Sequence, residues 1–314
     1  MRRVTPPRIA ISIPQLVPDG AFDPAAFRRY LSRAEQLGFD GAWSTEQVIG
    51  TAPHLDPSAI LAYAAACTER IRLGCAVFVS TLASPLHLAK SIATLDQVSR
   101  GRLEVGFGTG GRFRPFAAFG IDSDGFVSRF TEGVRYMQAA WTQVRIDFEG
   151  RFWQAKGLAM EPKPYQKPHP PLWFGGGHPN SLRRAVRLAD GYIGAGSTAT
   201  ADFIAHAGIL QEELDRADRD LAGFRVAKRV YLAVEDDPAV ARERLSAALN
   251  QLYGFFGMTG VERVGVSGRP AEVAAELHSI VEAGAGMVLL NPLYNEAEQM
   301  ERLAADVVPA LASS

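Results

Sequence analysis

The sequence has few of the groups that build disulfide scaffolds or metal centres. It contains two cysteines, Cys67 and Cys75, and neither lies in a CxxC or Cys/His spacing. The six histidines show no HxH or HExxH spacing, so the usual signatures of a zinc site are missing. We therefore expect two buried, reduced thiols and no bound metal.

Long apolar runs and a surplus of either charge are missing as well. The apolar run from Ile9 to Ile13 stops at Pro14, which is too short for a signal peptide, and no stretch approaches the roughly 20 apolar residues of a membrane span. Lysine and arginine total 33 against 34 acidic residues, a balance that favours neither nucleic acid nor a membrane surface as partner. We expect a cytoplasmic protein that acts on a small molecule.

Short apolar runs alternate regularly with helical segments along the whole chain. Helix starts are marked by an aspartate cap followed by proline, as at Asp23-Pro24 and Asp56-Pro57. The predicted strands begin near Ile9, Gly41, Ile71, Leu103, Leu172, Tyr192, Val226 and Met287. Eight buried strands separated by helices predict an α/β protein with a closed (β/α)8 TIM barrel. An open doubly wound sheet is the alternative, but no GxGxxG motif follows the first strand.

Two stretches interrupt this alternation. Residues 144–171 contain two strand-like pieces around a Glu149-Gly150 turn, followed by five prolines. We interpret them as an insertion between helix 4 and strand 5 of a single domain that spans 1–314. The stretch from Tyr253 to Gly268 is rich in glycine and predicts a mobile loop near the barrel mouth.

In a TIM barrel the functional residues lie at the C-terminal ends of the strands. Gly175, Gly176 and Gly177 follow the fifth strand and precede Pro179-Asn180 at a helix start. Converging backbone amides and the positive end of a helix suit a phosphate group. A plain tight turn into the helix is the other interpretation.

The ends of other strands carry further candidates. Gly108, Thr109 and Gly110 follow the fourth strand and would let a flat ring lie against the backbone, unless they form only a flexible loop. The pair Glu46-Gln47 follows the second strand, where a catalytic group would stand, although an exposed loop would look the same. Glu104 differs because it lies inside the fourth strand, and we expect it to form a structural ion pair with a buried arginine.

Several motifs, in the same order along the chain, resemble those of the bacterial-luciferase-like monooxygenase superfamily. They are Gly38–Trp43, Glu46-Gln47, Thr94–Arg102 with Gly106–Gly110, Pro162–Pro164, Pro170–Gly176, Leu188–Tyr192 and Gly268–Val273. The resemblance covers nearly the whole chain. Within the superfamily it is greatest to the oxidoreductases that use coenzyme F-420, an 8-hydroxy-5-deazaflavin.

This resemblance implies a barrel with an insertion after helix 4, a homodimer, and a cofactor ring at the C-terminal mouth. A bulge in the third strand, often with a non-prolyl cis peptide, would support the ring, and the matching residues are Ala76 and Val77. The family often has an acidic residue followed by histidine after the second strand, whereas this chain has Glu46 followed by Gln47.

The implied reaction is hydride transfer between a small organic substrate and position 5 of the deazaflavin ring, with the protein positioning the ring and excluding water. Glu46 and Gln47 are the candidate catalytic residues. The candidate cofactor-binding residues are Ala76, Val77, Gly108, Thr109, Gly110, Gly175, Gly176, Gly177 and Ser197. The alternatives are a monooxygenase that uses FMN and oxygen, and a non-catalytic flavin-binding protein.

Side chains near the predicted mouth suggest further contacts. Arg112 and Arg114 would meet the anionic phosphate-glutamate tail of the coenzyme, unless they are ordinary surface charges. The aromatic residues Trp43, Phe78, Phe113 and Phe116 are candidates for the pocket wall, although core packing is the preferred interpretation for Trp43.

Overall fold

Eight parallel strands close into a barrel in the computed structural model, which describes residues 6–17, 20–110, 116–219, 223–254, 257 and 260–312. The described residues form eleven strands in all, of which eight belong to the barrel. They are β1 (Arg8–Ser12), β2 (Gly41–Ser44), β3 (Arg72–Val79), β4 (Leu103–Gly108), β5 (Ile146–Glu149), β6 (Gln154–Leu158), β7 (Leu172–Gly175), β8 (Gly191–Gly194), β9 (Arg225–Val234), β10 (Val266–Gly268) and β11 (Met287–Pro292). The barrel runs β1-β2-β3-β4-β7-β8-β9-β11 and closes where β11 pairs with β1. The predicted (β/α)8 barrel is thus confirmed.

Helices follow the barrel strands and pack around them. They are α1 (Pro24–Gln36), α2 (Pro57–Cys67), α3 (Pro85–Val98), α4 (Phe126–Thr142), α5 (Pro179–Leu188), α6 (Thr200–Arg216), α7 (Pro238–Gly254), α8 (Pro270–Glu282), α9 (Glu296–Arg302) and α10 (Val308–Ala312). The predicted caps are formed, because Asp23 accepts hydrogen bonds from the first-turn amides of α1 and Asp56 accepts one from Ala59. No helix in the described part of the chain is long and apolar enough to cross a membrane.

Two layers of apolar side chains stabilise this arrangement. Most buried residues form one large cluster between the strands and the helices. A smaller cluster fills the barrel itself, where Trp43 and Trp173 meet edge to face with ring centroids 6.1 Å apart. Strand residues alternate between the two layers, as the two-residue period of a strand requires.

Both stretches that interrupt the alternation of strands and helices contain regular secondary structure. Strands β5 and β6 form an antiparallel hairpin between α4 and β7. In the stretch from Tyr253 to Gly268, which we predicted as a loop, the described residues include a short 3₁₀ helix and β10, which pairs with β9 in parallel. That prediction was wrong there because β9 is long enough to offer its C-terminal half to an extra strand.

Glu104 forms the predicted ion pair at the N-terminal end of the barrel. Its carboxylate accepts hydrogen bonds from Arg8 at 2.7 Å, from Arg72, and from the Trp173 indole at 2.9 Å. Burial alone would raise the pKa of Glu104, but the two arginines hold it below its usual value. The arginine side chains are about one-third exposed rather than buried, since their stems reach the open lower rim. Cys67, predicted to be buried, is only half-buried, whereas Cys75 is buried.

We expect the substitution Glu104→Gln to lower the free energy of unfolding by roughly 3 kcal/mol, because it leaves two arginines facing a neutral group in a buried site. Urea denaturation of the purified protein measures this. The control is Glu301→Gln, which breaks the surface pair with Arg33 and should change the stability far less. Equal losses in the two variants would contradict the structural role of Glu104.

Candidate active site

Two neighbouring cavities open at the C-terminal mouth of the barrel. The β1–β2 cavity is lined by Ser12, Ile13, Gln15, Leu16, Trp43, Thr45, Glu46, Gln47, His54, Ala76, Val77, Val79, Gly110, Arg229, Tyr231, Leu252, Tyr253, Asn291, Pro292, Leu293 and Glu296. The β7–β8 cavity is lined by Ala76, Val77, Gly108, Thr109, Gly110, Gly175, Gly176, Gly177, His178, Ser181, Ile193, Gly194, Ala195, Ser197, Thr198 and Arg229. Ala76, Val77, Gly110 and Arg229 belong to both, so the two cavities meet at the bulge of β3.

The sequence-predicted site residues divide between these cavities. Glu46 and Gln47 line the β1–β2 cavity, and all nine candidate cofactor-binding residues line the β7–β8 cavity. Arg112, Phe113 and Arg114 lie outside the described residues. Phe78 and Phe116 are not among the described residues that line either cavity. Phe78 instead packs against Phe107, and Phe116 against Phe126.

The bulge in β3 has the features that the resemblance implies. Pairing between β3 and β4 shifts register between Cys75 and Phe78, and the peptide bond between Ala76 and Val77 is cis. The extra residue turns the side chain of Phe78 into the outer core, which explains why it does not reach the pocket.

Glycines allow the bulge to lie close to β4 and β7. A Cβ atom at Gly108 would lie 2.6 Å from Val77 Cγ2, and one at Gly175 would lie 3.2 Å from Val77 Cγ1. Gly176 has a φ of +135° and a Cβ atom there would lie 2.9 Å from Ser181 Cβ. A side chain at Gly108 or Gly176 would therefore collide with the walls of the β7–β8 cavity.

The start of α5 completes the β7–β8 cavity. His178 caps this helix, since its Nδ1 accepts a hydrogen bond from the Asn180 amide at 3.1 Å, and Ser181 lines the cavity from the first turn. The amides of Ser181 and Leu182 donate to the carbonyl of His178, so what the start of α5 offers an anion is the positive end of its helix dipole. The cavity measures about 540 Å³, and its donors fit a phosphate-bearing cofactor.

Glu46 also has a structural contact in the β1–β2 cavity. Its Oε2 accepts a hydrogen bond from the backbone amide of Val79, which joins the loop after β2 to the end of β3. Gln47 lines the same cavity. The catalytic role of both side chains stays a prediction.

Arg229, which sequence reasoning missed, lies where the two cavities meet. From the middle of β9 it donates to the carbonyl of Ala76 at 3.0 Å and to the hydroxyl of Tyr231 at 3.0 Å, and Tyr231 contacts the hydroxyl of Tyr253 at 2.9 Å. Burial alone would lower the pKa of Arg229, but the two tyrosines and Cys75 raise it, so the guanidinium stays charged. Its buried Nε has no hydrogen-bond partner among the described residues.

The neighbouring Lys228 faces the other side of β9. Its ammonium group donates to the carbonyls of Ala195 and Arg229 at 2.7 and 2.6 Å, and burial, with a smaller contribution from Arg229, lowers its pKa to about 7. Two adjacent cations in the middle of a strand whose other charged residue is the exposed Arg225 at its start were the signal that could have drawn attention to β9.

Comparisons with known proteins identify the family. The family model described as luciferase-like monooxygenase matches residues 6–288, so the chain belongs to this family of oxidoreductases, as predicted. Curated relatives include the F420-dependent glucose-6-phosphate dehydrogenases of Kineococcus radiotolerans, 28% identical over 92% of this chain and 94% of that protein, and of Beutenbergia cavernae, 29% identical over 92% and 94%.

Solved structures with the same fold include a monooxygenase and a dehydrogenase. The monooxygenase RslO1 from Streptomyces bottropensis superposes with a TM-score of 0.81 at 25% identity, covering 96% of this chain and 99% of that one. An F420-dependent secondary alcohol dehydrogenase in complex with an F420-acetone adduct gives a TM-score of 0.83 over 98% and 99% of the chains. At 18% identity this second likeness concerns the fold alone.

The substitution Gly176→Leu should weaken cofactor binding more than tenfold, because the side chain would fill the cavity and cost a charge-assisted contact of about 1.5–3 kcal/mol. Fluorescence titration with the cofactor measures the dissociation constant. Gly208→Ala is the matched control, since a Cβ atom at Gly208 meets nothing within 4 Å. Unchanged binding in Gly176→Leu would argue against a phosphate site here.

Proposed function

We propose that this protein is an oxidoreductase that depends on coenzyme F-420 and transfers hydride between the coenzyme and a small organic substrate. The observation that carries the proposal is the meeting of two cavities at the Ala76–Val77 bulge. The β7–β8 cavity offers glycine backbone and the N-terminus of α5, whereas the β1–β2 cavity offers polar side chains and the aromatic ring of Trp43. Such a pair suits a cofactor on one side and its substrate on the other.

The β7–β8 cavity would hold the cofactor. Gly175 to Gly177 and the first turn of α5 would bind the phosphate, while Gly108 to Gly110 leave room for the chain that links phosphate and ring. Ala76 and Val77 would lie behind the ring. When bound, the coenzyme supplies a carbon centre that accepts or gives a hydride, and the chain positions this centre and excludes water.

The β1–β2 cavity would hold the substrate. Trp43 and Leu252 contribute apolar surface, whereas Glu46, Gln47 and Asn291 offer hydrogen-bonding groups. Arg229 at the junction would place a positive charge next to both ligands, and its hydrogen bond to Ala76 would keep the bulge in place when the substrate binds. Groups held in this way lose little conformational freedom during the reaction.

The choice of deazaflavin over FMN is supported by the full-length relatives. The dehydrogenases named for F420 align over 92% of this chain, in agreement with the sequence motifs. The likeness to RslO1, a monooxygenase, makes FMN and oxygen the second candidate. From the same resemblance we also propose a homodimer. From the balanced charge and the lack of long apolar runs we propose a cytoplasmic protein with no nucleic-acid or membrane partner.

Titration of the purified protein with coenzyme F-420 and, separately, with FMN tests the proposal. We expect saturable binding of the deazaflavin, seen as a change in ring absorbance, with FMN binding weaker. Gly208→Ala should bind like the unmodified protein, and Gly176→Leu should bind neither ring well. Micromolar binding of FMN without detectable binding of F-420 would reverse the assignment.

A further inference from the structure

We propose that Thr45 and His54 form the proton relay of this active site, and that the substrate is an alcohol or the corresponding carbonyl compound. The inference rests on the proposed function, because it adds a proton path to the hydride transfer. In this proposal Thr45, the first residue of the loop between β2 and α2, supplies the hydroxyl that contacts the substrate. His54, near the other end of the same loop, supplies the imidazole.

Thr45 and His54 lie at opposite ends of one loop and meet at the substrate cavity. Thr45 follows the last residue of β2, and two residues separate His54 from the start of α2. The Thr45 Oγ1 and His54 Nε2 atoms are 3.1 Å apart, and both residues line the β1–β2 cavity. When the threonine hydroxyl donates to the imidazole, its lone pairs are free to accept a hydrogen bond from a substrate hydroxyl.

Gln15 forms hydrogen bonds to both ends of this loop. Its buried side chain donates to the carbonyls of Thr45 and Leu55, both at 3.0 Å, and accepts a hydrogen bond from the Thr45 amide at 2.6 Å. Its backbone carbonyl accepts a further hydrogen bond from the Leu55 amide. Four bonds to one residue position Thr45 and His54 against each other before a substrate arrives, as a relay requires.

The surroundings of His54 keep its imidazole in the neutral form, which has a nitrogen able to take up a proton. Burial lowers its pKa from the ordinary value, the backbone of Leu55 partly opposes this, and the charge of Arg229 lowers it further. Because the pKa is lowered, His54 is neutral at pH 7 and becomes protonated only in more acidic solution. The other titratable or charged groups lining the cavity are Glu46, Arg229, Tyr231, Tyr253 and Glu296.

The relay balances the hydride step. As an alcohol is oxidised, a hydride leaves its carbinol carbon for position 5 of the coenzyme, and the C–O bond becomes a double bond. The hydroxyl proton passes to Thr45 Oγ1 while the proton of Thr45 passes to His54 Nε2, which later releases it to water. In the opposite direction the same path protonates the oxygen of a carbonyl compound as the hydride arrives.

The test compares His54→Asn, Thr45→Val and Thr45→Ser with the unmodified protein, all loaded with coenzyme F-420. The alcohol probes are 2-propanol, cyclohexanol and glucose 6-phosphate. We expect His54→Asn and Thr45→Val to lower kcat by about 10²–10⁴-fold, with unchanged coenzyme affinity and melting temperature. Thr45→Ser keeps a hydroxyl and should retain most of the activity. The control is His278→Gln in α8, at the far end of the barrel, which should behave like the unmodified protein.

Two further readouts separate a relay from a structural effect. The rate of alcohol oxidation should fall in acid as His54 becomes protonated, and His54→Asn should lose this dependence. Nitrogen NMR of the holoenzyme should show a neutral His54 imidazole at pH 7, with an Nε2 shift that changes in Thr45→Val.

Each contrary result has a distinct meaning. Unchanged kcat in His54→Asn, or an imidazolium at pH 7, overturns the relay and leaves the proposed function standing. Coenzyme binding without turnover of any alcohol probe overturns the alcohol class and the relay with it. Absence of coenzyme binding overturns the proposed function itself.

Discussion

The hydrogen bond between the guanidinium of Arg229 and the carbonyl of Ala76 is the interaction on which the architecture of the mouth depends. It joins β9 to β3, two strands that are not neighbours in the barrel. Removing an arginine from water is costly unless its donors are satisfied. The Ala76 carbonyl and the Tyr231 hydroxyl meet part of that need, and the bond to Ala76 fixes the bulge at which the two cavities meet.

The two ends of the barrel use charge for different purposes. At the N-terminal end, Glu104 is surrounded by Arg8, Arg72 and the Trp173 indole, so that its charge is compensated and contributes to stability. At the C-terminal end, Arg229 retains one buried nitrogen without a partner among the described residues. An incompletely satisfied charge of this kind is expected where a ligand completes the contacts.

Sequence reasoning found the features that depend on local physics. Asp-Pro helix starts, eight apolar runs and the glycines of Gly175–Gly177 can be recognised within a few residues. The role of Arg229 and the contact between Thr45 and His54 could not be predicted in this way, because they depend on strand register and on the path of a loop. Strand β10 was missed for a related reason, since the strand that it pairs with in the described part of the chain is the far half of β9.

The attachment of both ends of the β2–α2 loop to Gln15 makes the loop a closed ring that is fastened at one residue just after β1. Substitutions within the ring can alter the shape and polarity presented to a ligand without displacing the strand before it or the helix after it. The barrel can thus acquire a new substrate preference through this loop at little cost in folding stability. A change at Gln15 itself would instead release both ends together.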